Sequence, residues 1–233
     1  MYWYVFDIFE TDLRLPIPEP YSEERLEVRV YEGNKSLTKA LEDLKGMDDL
    51  VPADIELRLG RGDAVAIAYA ADKSVGCMWL TFSTGIELGF GTSWVIRPAE
   101  ALRYGAFVRS EWRGRATYSL VNNALNRYAR ERGILRTLGG VSVLNSQSRS
   151  LAKHHRKLRT MRVIVFKIRG VKWAYRRAIG ASLESRFAVA SGSQSRSPRT
   201  QFGGGQRLRK MITPVTHLFP PYAYRRKQGR TRL

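Results

Sequence analysis

Residues 113–117, Arg-Gly-Arg-Ala-Thr, place two guanidinium groups and a glycine immediately ahead of an amphipathic stretch. That combination suits phosphate binding. The first turn of a helix carries backbone N–H groups with no intrahelical acceptor, and the helix dipole favours negative charge there. Gly114 lets the backbone approach an anion closely, and Arg113 and Arg115 add charge. The Gly-Lys-Ser/Thr of a P-loop is absent, and so is a Gly-x-Gly-x-x-Gly run. A surface loop with arginines for solubility would use the same five residues.

The flanking elements favour the first reading. "ALRYGAFVR" (101–109) predicts a strand that runs straight into the loop. From Thr117, the residues Val121, Ala124, Leu125, Tyr128 and Ala129 share one helical face. Asn122, Asn123, Asn126, Arg127 and Arg130 take the other, and Gly133 is placed to end the helix. Upstream, "YWYVFDIF" (2–9) predicts a strand, and three prolines forbid a helix through 15–24. Residues 25–33 alternate as a half-buried strand, and Leu37, Leu41 and Leu44 have helical spacing. Residues 52–63 read as a short helix ending at Gly60. Residues 64–70 and 74–83 form a hairpin, and 86–98 are extended. Downstream, 136–144 predict a strand, 146–158 a helix and 161–168 a strand. The order is that of an α/β domain with a strand–loop–helix unit at its centre.

Composition limits the function classes. The chain has 233 residues, 43% of them hydrophobic, enough for one large domain with an ordinary core. No apolar run approaches the ~20 residues of a membrane span. The apolar N-terminus carries Asp7 and Glu10 and lacks a basic leader, so it reads as a strand rather than a signal peptide. Cys77 is the lone cysteine, which excludes an intrachain disulfide and fits a reducing cytoplasm. The net charge is +19, unevenly spread. Residues 1–100 hold 18 acids against 10 bases, whereas 101–233 hold 3 acids against 30 bases. A polyanionic partner is expected for the second half. Residues 170–233 form a Ser/Gly/Arg-rich basic extension, expected to be partly disordered or docked in extended form.

"FVRSEWRGRATYSLVNNALNRYARERG" resembles the acetyl-CoA signature of the GNAT family of N-acetyltransferases, in which a strand ends in Val-x-Pro-x-x-Arg-Gly-x-Gly-x-Gly/Ala. Val108 takes the Val position and Arg113-Gly114 the Arg-Gly position. Further on, "VLNSQSRSLAKHHRKL" is similar to the family's Val-x-x-x-Asn-x-x-Ser motif, matched by Asn145 and Ser148. "GDAVAIAYAADKSVGCMWL" looks like the family's hairpin, whose second strand reads Val-Gly. The resemblance covers residues 26–169, with 1–25 as an N-terminal strand and Pro-rich connection and 170–233 as the extension. It implies a GNAT-like α/β fold, a mixed, mostly antiparallel central sheet flanked by helices. The sequence also departs from the pattern. Ala116 stands where Gly is usual and is harmless only at negative φ, Tyr118 replaces Gly or Ala, and Ser110 replaces Pro. The closing Leu-Gly-Phe is missing, and so is the helix tyrosine that many members use as general acid.

The resemblance implies acetyl-CoA, or another acyl-CoA, held by Phe107, Val108, Arg109, Arg113, Gly114, Arg115, Ala116, Thr117, Asn145 and Ser148. A backbone N–H near Phe107–Val108 would polarise the thioester carbonyl. Glu87 and Glu100 flank the strands nearest the reacting centre, so one is a candidate base, although each also reads as a solvated surface glutamate. His154 or His155 is the nearest substitute acid, and neighbours on a helix point about 100° apart, which prevents joint chelation. The acceptor is an amine. Glu42, Asp43, Asp48, Asp49, Asp54 and Glu56 form an acidic stretch that would favour a cationic one. Two other readings stay open: a nucleic-acid-binding protein that uses its basic half, and an inactive GNAT-like binding module. The basic tail alone would support non-specific polyanion contact, and a homodimer stays open too.

Overall fold

The structure, a computed structural model, describes residues 2–22, 25–33, 36–45, 47, 51–83, 86–87, 92–154, 158–167, 174–179 and 187–189. The strands are β1 (Tyr2–Asp12), β2 (Glu27–Glu32), β3 (Ala64–Ala70), β4 (Lys73–Thr81), β5 (Ile86–Glu87), β6 (Thr92–Trp94), β7 (Glu100–Val108), β8 (Arg136–Ser142), β9 (Leu158–Lys167), β10 (Ala174–Ile179) and β11 (Phe187–Val189). The helices are α1 (Leu37–Leu44), α2 (Pro52–Gly60), α3 (Thr117–Glu131) and α4 (Ser146–His154). An eight-stranded sheet runs β10-β9-β1-β8-β7-β4-β3-β2, and a small one runs β11-β6-β5. In the large sheet β7 and β8 are parallel, and the other described pairs are antiparallel.

Two apolar layers sandwich this sheet, and β3 shows how the sequence assigns them. Its side chains alternate with period two. Val65, Ile67 and Tyr69 join a core with Ala40, Leu44, Ile55 and Leu59 of α1 and α2. Ala64, Ala66 and Ala68 face the opposite way, toward Val121, Leu125 and Ala129 of α3. The alanines leave room for α3 to lie close to the sheet. Pro52 occupies the first turn of α2, where a missing N–H costs nothing.

Three features go beyond those expectations. First, β1 is not peripheral. It is flanked by β8 (Asp7↔Val141) and β9 (Asp7↔Arg162), antiparallel to both. The boundary expected at residue 25 therefore does not separate it from the sheet. Second, Asn122, Asn123 and Asn126, on the face of α3 opposite its apolar one, are buried as well. The Pro-rich segment after β1 crosses α3, with Leu13 N–H on the Leu135 carbonyl at 2.8 Å and Asn123 donating to the Pro18 carbonyl. Asn126 accepts from Thr137 at 2.9 Å. Third, the chain beyond residue 170 adds edge strand β10 to β9 (Ala178↔Val163). Residues 190–233, including the Arg-rich tail, lie outside the described residues.

Candidate functional site

β7 and β8 pair over four residues each, Glu100↔Arg136 through Arg103↔Gly139. Past that point no ladder joins them. β7 stays bonded to β4 up to Val108↔Gly76, and β8 stays bonded to β1 up to Ser142↔Phe6. Each strand is thus held on its outer edge, and the facing edges separate into a wedge. A bulge in β7 marks where it opens. Cys77 faces Phe107 and Trp79 faces Tyr104, so Gly105 and Ala106 together stand opposite Met78. A bulge bends its strand and sharpens the twist. Gly105 takes φ +56°, and a β-carbon there would lie 3.0 Å from Trp79 Cδ1, so the position calls for glycine twice over. At the vertex, Arg103 is buried and ties three elements together, donating to Asn122 on α3 and, at 3.0 Å, to Thr11 on β1. Burial pulls its pKa below the usual arginine value.

The open end of the wedge leads to the arginine–glycine loop. A short 3-10 turn, Ser110–Trp112, follows β7, and α3 starts at Thr117. The residue capping α3 is Ala116, whose methyl offers no acceptor to the first turn. The first helical turn therefore presents its N–H groups toward the loop. Gly114 and Ala116 both have positive φ, +81° and +59°. The mild case for Ala116 required a negative φ, so this expectation is overturned: an L-residue sits in a conformation that favours glycine. Thr117 is buried, its hydroxyl donating to the Trp112 carbonyl at 3.1 Å. Tyr118 packs into the layer between α3 and the sheet, away from the loop amides.

The GCN5-related N-acetyltransferase of Sphaerobacter thermophilus matches this architecture with TM-score 0.50 and 14% identity, over 77% of this chain and 54% of that one. The chain has the GNAT fold. A functionally unknown conserved protein from Staphylococcus epidermidis (TM-score 0.49, 8% identity, 69% of this chain and 60% of that one) is also similar. So is a protein assigned to the GNAT family of acetyltransferases from Novosphingobium aromaticivorans (TM-score 0.45, 12% identity, 69% and 62%). The chain spans less than two thirds of the length of each of these three. No family model and no curated protein sequence matches it.

Within the GNAT fold, the residues singled out from sequence fall into distinct places. Phe107, Val108 and the loop 109–116 line the wedge and its mouth. Arg109 is tied down, its N–H on Val75 and its Nε on the Ser74 carbonyl, both at 2.9 Å. Arg113 donates to the Val108 carbonyl at 3.2 Å, and the Arg115 guanidinium lies 5.3 Å from the centre of the Trp112 ring. Glu111 turns to Ser110, and hydrogen bonds to its carboxylate lower its pKa. Asn145 caps α4, its side-chain oxygen accepting from Ser148 N–H at 2.9 Å. That puts Asn145 and Ser148 together just past the end of β8.

Of the candidate acid and base residues, Glu100 is set apart from the loop. Glu100 opens β7, at the end opposite the loop. It is 2% exposed, pairs with Arg136 at 2.9 Å and accepts from Arg97 N–H at 3.2 Å. Glu87 lies on β5 of the small sheet and His154 closes α4, while His155 is outside the described residues. In the acidic stretch, Asp43 is engaged by Tyr69 at 2.5 Å, Tyr31 at 3.1 Å and Lys39 at 3.3 Å. Asp48 and Asp49 lie outside the described residues.

Sequence reasoning missed what stands beneath the bulge. Trp79 and Tyr104 stack with ring centres 6.3 Å apart. The Tyr104 hydroxyl donates to buried Asp63, which also pairs with Arg61. Burial, with that carboxylate alongside, raises the phenol pKa well above its ordinary value. Arg58 of α2 lies against both rings. The signals were present: a glycine inside a strand pattern marks a bulge. An arginine on an amphipathic helix, by contrast, reads as solvated.

Proposed function

We propose that this protein is an acyl-CoA-dependent N-acyltransferase, with acetyl-CoA as donor. The observation that carries the reading is the wedge between β7 and β8, which opens onto an α3 start that no side chain caps. Backbone groups freed by the divergence suit the amide-rich arm of coenzyme A. The α3 start and the arginines suit its pyrophosphate. The aligned residues are Phe107 and Val108 on the strand, Arg113 to Thr117 in the loop, and Asn145 with Ser148 across the wedge. Thr117 contributes through its backbone, since its hydroxyl is committed to the loop.

The amine nitrogen attacks the thioester carbonyl, and the carbon–sulfur bond breaks. The proton lost by the amine balances the one gained by the departing thiolate. Holding the two reactants side by side supplies much of the acceleration, and a β7 N–H near Phe107 polarises the carbonyl. Glu87 and His154 are the proposed groups for proton transfer. Glu100, ion-paired far from the loop, holds the start of β7. Calorimetric titration with acetyl-CoA and with its 3′-dephospho form tests the binding step, and release of free thiol with an amine panel tests the transfer. Absence of binding at millimolar acetyl-CoA overturns the reading.

A further inference from the structure

Arg103 is a buried cation without a counter-ion. It is 6% exposed and holds the last place in the β7–β8 ladder, opposite Gly139. Its guanidinium lies over Gly139, where a β-carbon would stand 3.9 Å from both Nε and Nη2. Its hydrogen bonds go to neutral groups, Asn122 of α3 and Thr11 of β1, and its β4 neighbour is Leu80. Nε is buried with no hydrogen-bond partner among the described residues. The buried acids of the described residues are Asp7, Asp63 and Glu100, and each is paired with a different arginine: Arg162, Arg61 and Arg136. The titratable group that acts on Arg103 is the Tyr118 phenol of α3, and burial raises its pKa, which keeps it neutral. An arginine keeps its proton even when buried. Such a charge without a carboxylate is costly, and costs of this kind collect at functional sites.

The place of the charge points to its use. Arg103 is the last paired residue before the wedge opens, and its side chain lies on the face of the sheet that carries α3. In the acyltransferase reading, on which this inference rests, the pyrophosphate sits at the α3 start and the arm of coenzyme A runs between β7 and β8 toward the vertex. The thioester at Phe107 is four residues from Arg103, about 13 Å along the strand. A charge acts over that range without touching the ligand. The sequence also lacks the helix tyrosine that many GNAT members use as general acid. We propose that Arg103 supplies a fixed positive potential for the sulfur of coenzyme A, so that the departing thiolate depends less on a proton donor. The amine nitrogen bonds to the carbonyl carbon, and the electron pair of the carbon–sulfur bond leaves on sulfur. The thiolate then takes a proton, balancing the one the amine gives up. With an effective dielectric of about 20, one charge at this range favours the thiolate about tenfold. A charge fixed in place needs no rearrangement at the moment of reaction.

The test is calorimetric titration of the full chain with CoA and with desulfo-CoA, which lacks the thiol, from about pH 6 to about pH 10. The phosphates are common to both ligands, so the ratio of the two affinities reads the sulfur alone. A thiol whose pKa falls on binding is held more tightly as the pH rises through its ordinary value. In wild type the affinity for CoA relative to desulfo-CoA is expected to rise at least about fivefold across the range. Asn122→Asp keeps the shape of the side chain and gives the guanidinium a carboxylate. It should unfold as cooperatively as wild type, hold the ratio constant within about twofold, and lower kcat with acetyl-CoA more than it changes KM. Arg103→Met should also flatten the ratio. Thr11→Val removes a hydrogen bond and keeps the charge, so the rise should survive even where the melting temperature falls. A constant ratio in wild type overturns the proposal and leaves the acyltransferase reading intact, as does a rise that survives Asn122→Asp. Failure of both ligands to bind at millimolar concentration overturns that reading, and the proposal with it.

Discussion

The side chain of Thr117 rests on the α-carbon of Gly76, so that a β-carbon there would stand 2.8 Å from Thr117 Cγ2 and 3.1 Å from the Phe107 carbonyl. The Val-Gly of the hairpin strand thus has a mechanical purpose: it seats the first residue of α3 on β4, next to the wedge.

Gly76→Ala should lift the start of α3 and cost about 1–3 kcal/mol, the usual price of overpacking. Thr117→Ser removes the methyl and keeps the hydroxyl. Combined with Gly76→Ala, it should recover part of the loss. Chemical denaturation of both single variants and the double reads the coupling, and strict additivity would show that the contact is not where the strain lies.

Ala116→Gly should leave stability unchanged or raise it, by no more than about 1 kcal/mol. Relief of a left-handed alanine favours the folded state, while the freer unfolded chain opposes it. Ala116→Val, β-branched in the same conformation, should lower stability by more than about 1 kcal/mol. Melting temperatures of the two variants check the sign.

Gly114→Glu should abolish acetyl-CoA binding while preserving a cooperative unfolding transition. Nothing lies within 4 Å of a β-carbon at this position, so the fold accommodates the side chain apart from strain of about 1 kcal/mol at positive φ. The added carboxylate would oppose the pyrophosphate at the helix start. Gly114→Ala, uncharged, should still bind. Calorimetry on both variants separates charge from backbone strain.

Deletion of residues 1–12 should eliminate cooperative folding rather than trim an end. Without β1, both β8 and β9 lose a ladder, and buried Asp7 no longer accepts from Arg162 at 2.7 and 3.1 Å. A sharp thermal transition in the truncated chain would refute the central role of β1.

What the sequence disclosed follows from the range of each interaction. The β7–loop–α3 unit was legible because its signals are local: an apolar period of 3.6 and glycines at Gly114 and Gly133. The burial of Asn122, Asn123 and Asn126 was not legible because periodicity counts apolar residues and cannot register their partners, Arg103, the Pro18 carbonyl and Thr137. The conformation of Ala116 depends on how β7 delivers the chain to α3, which residue type alone does not report. Glu100 looked like a candidate base until its partner, Arg136, was placed opposite it. Arg58 acquires meaning only through Trp79, Tyr104 and Gly105, which come from two other strands.

The position of β1 also bears on how the chain is made. Its residues leave the ribosome before the strands that flank it, yet Asp12 has no strand partner until Arg136 has been synthesised, roughly 120 residues later, and Tyr2 waits for Lys167. At ordinary elongation rates that is a delay of roughly 10–30 s. Throughout it, "YWYVFDIFE" is an apolar strand with two unsatisfied edges. The sheet therefore closes late, around its oldest segment, and the newborn protein depends on whatever shields that segment in the meantime.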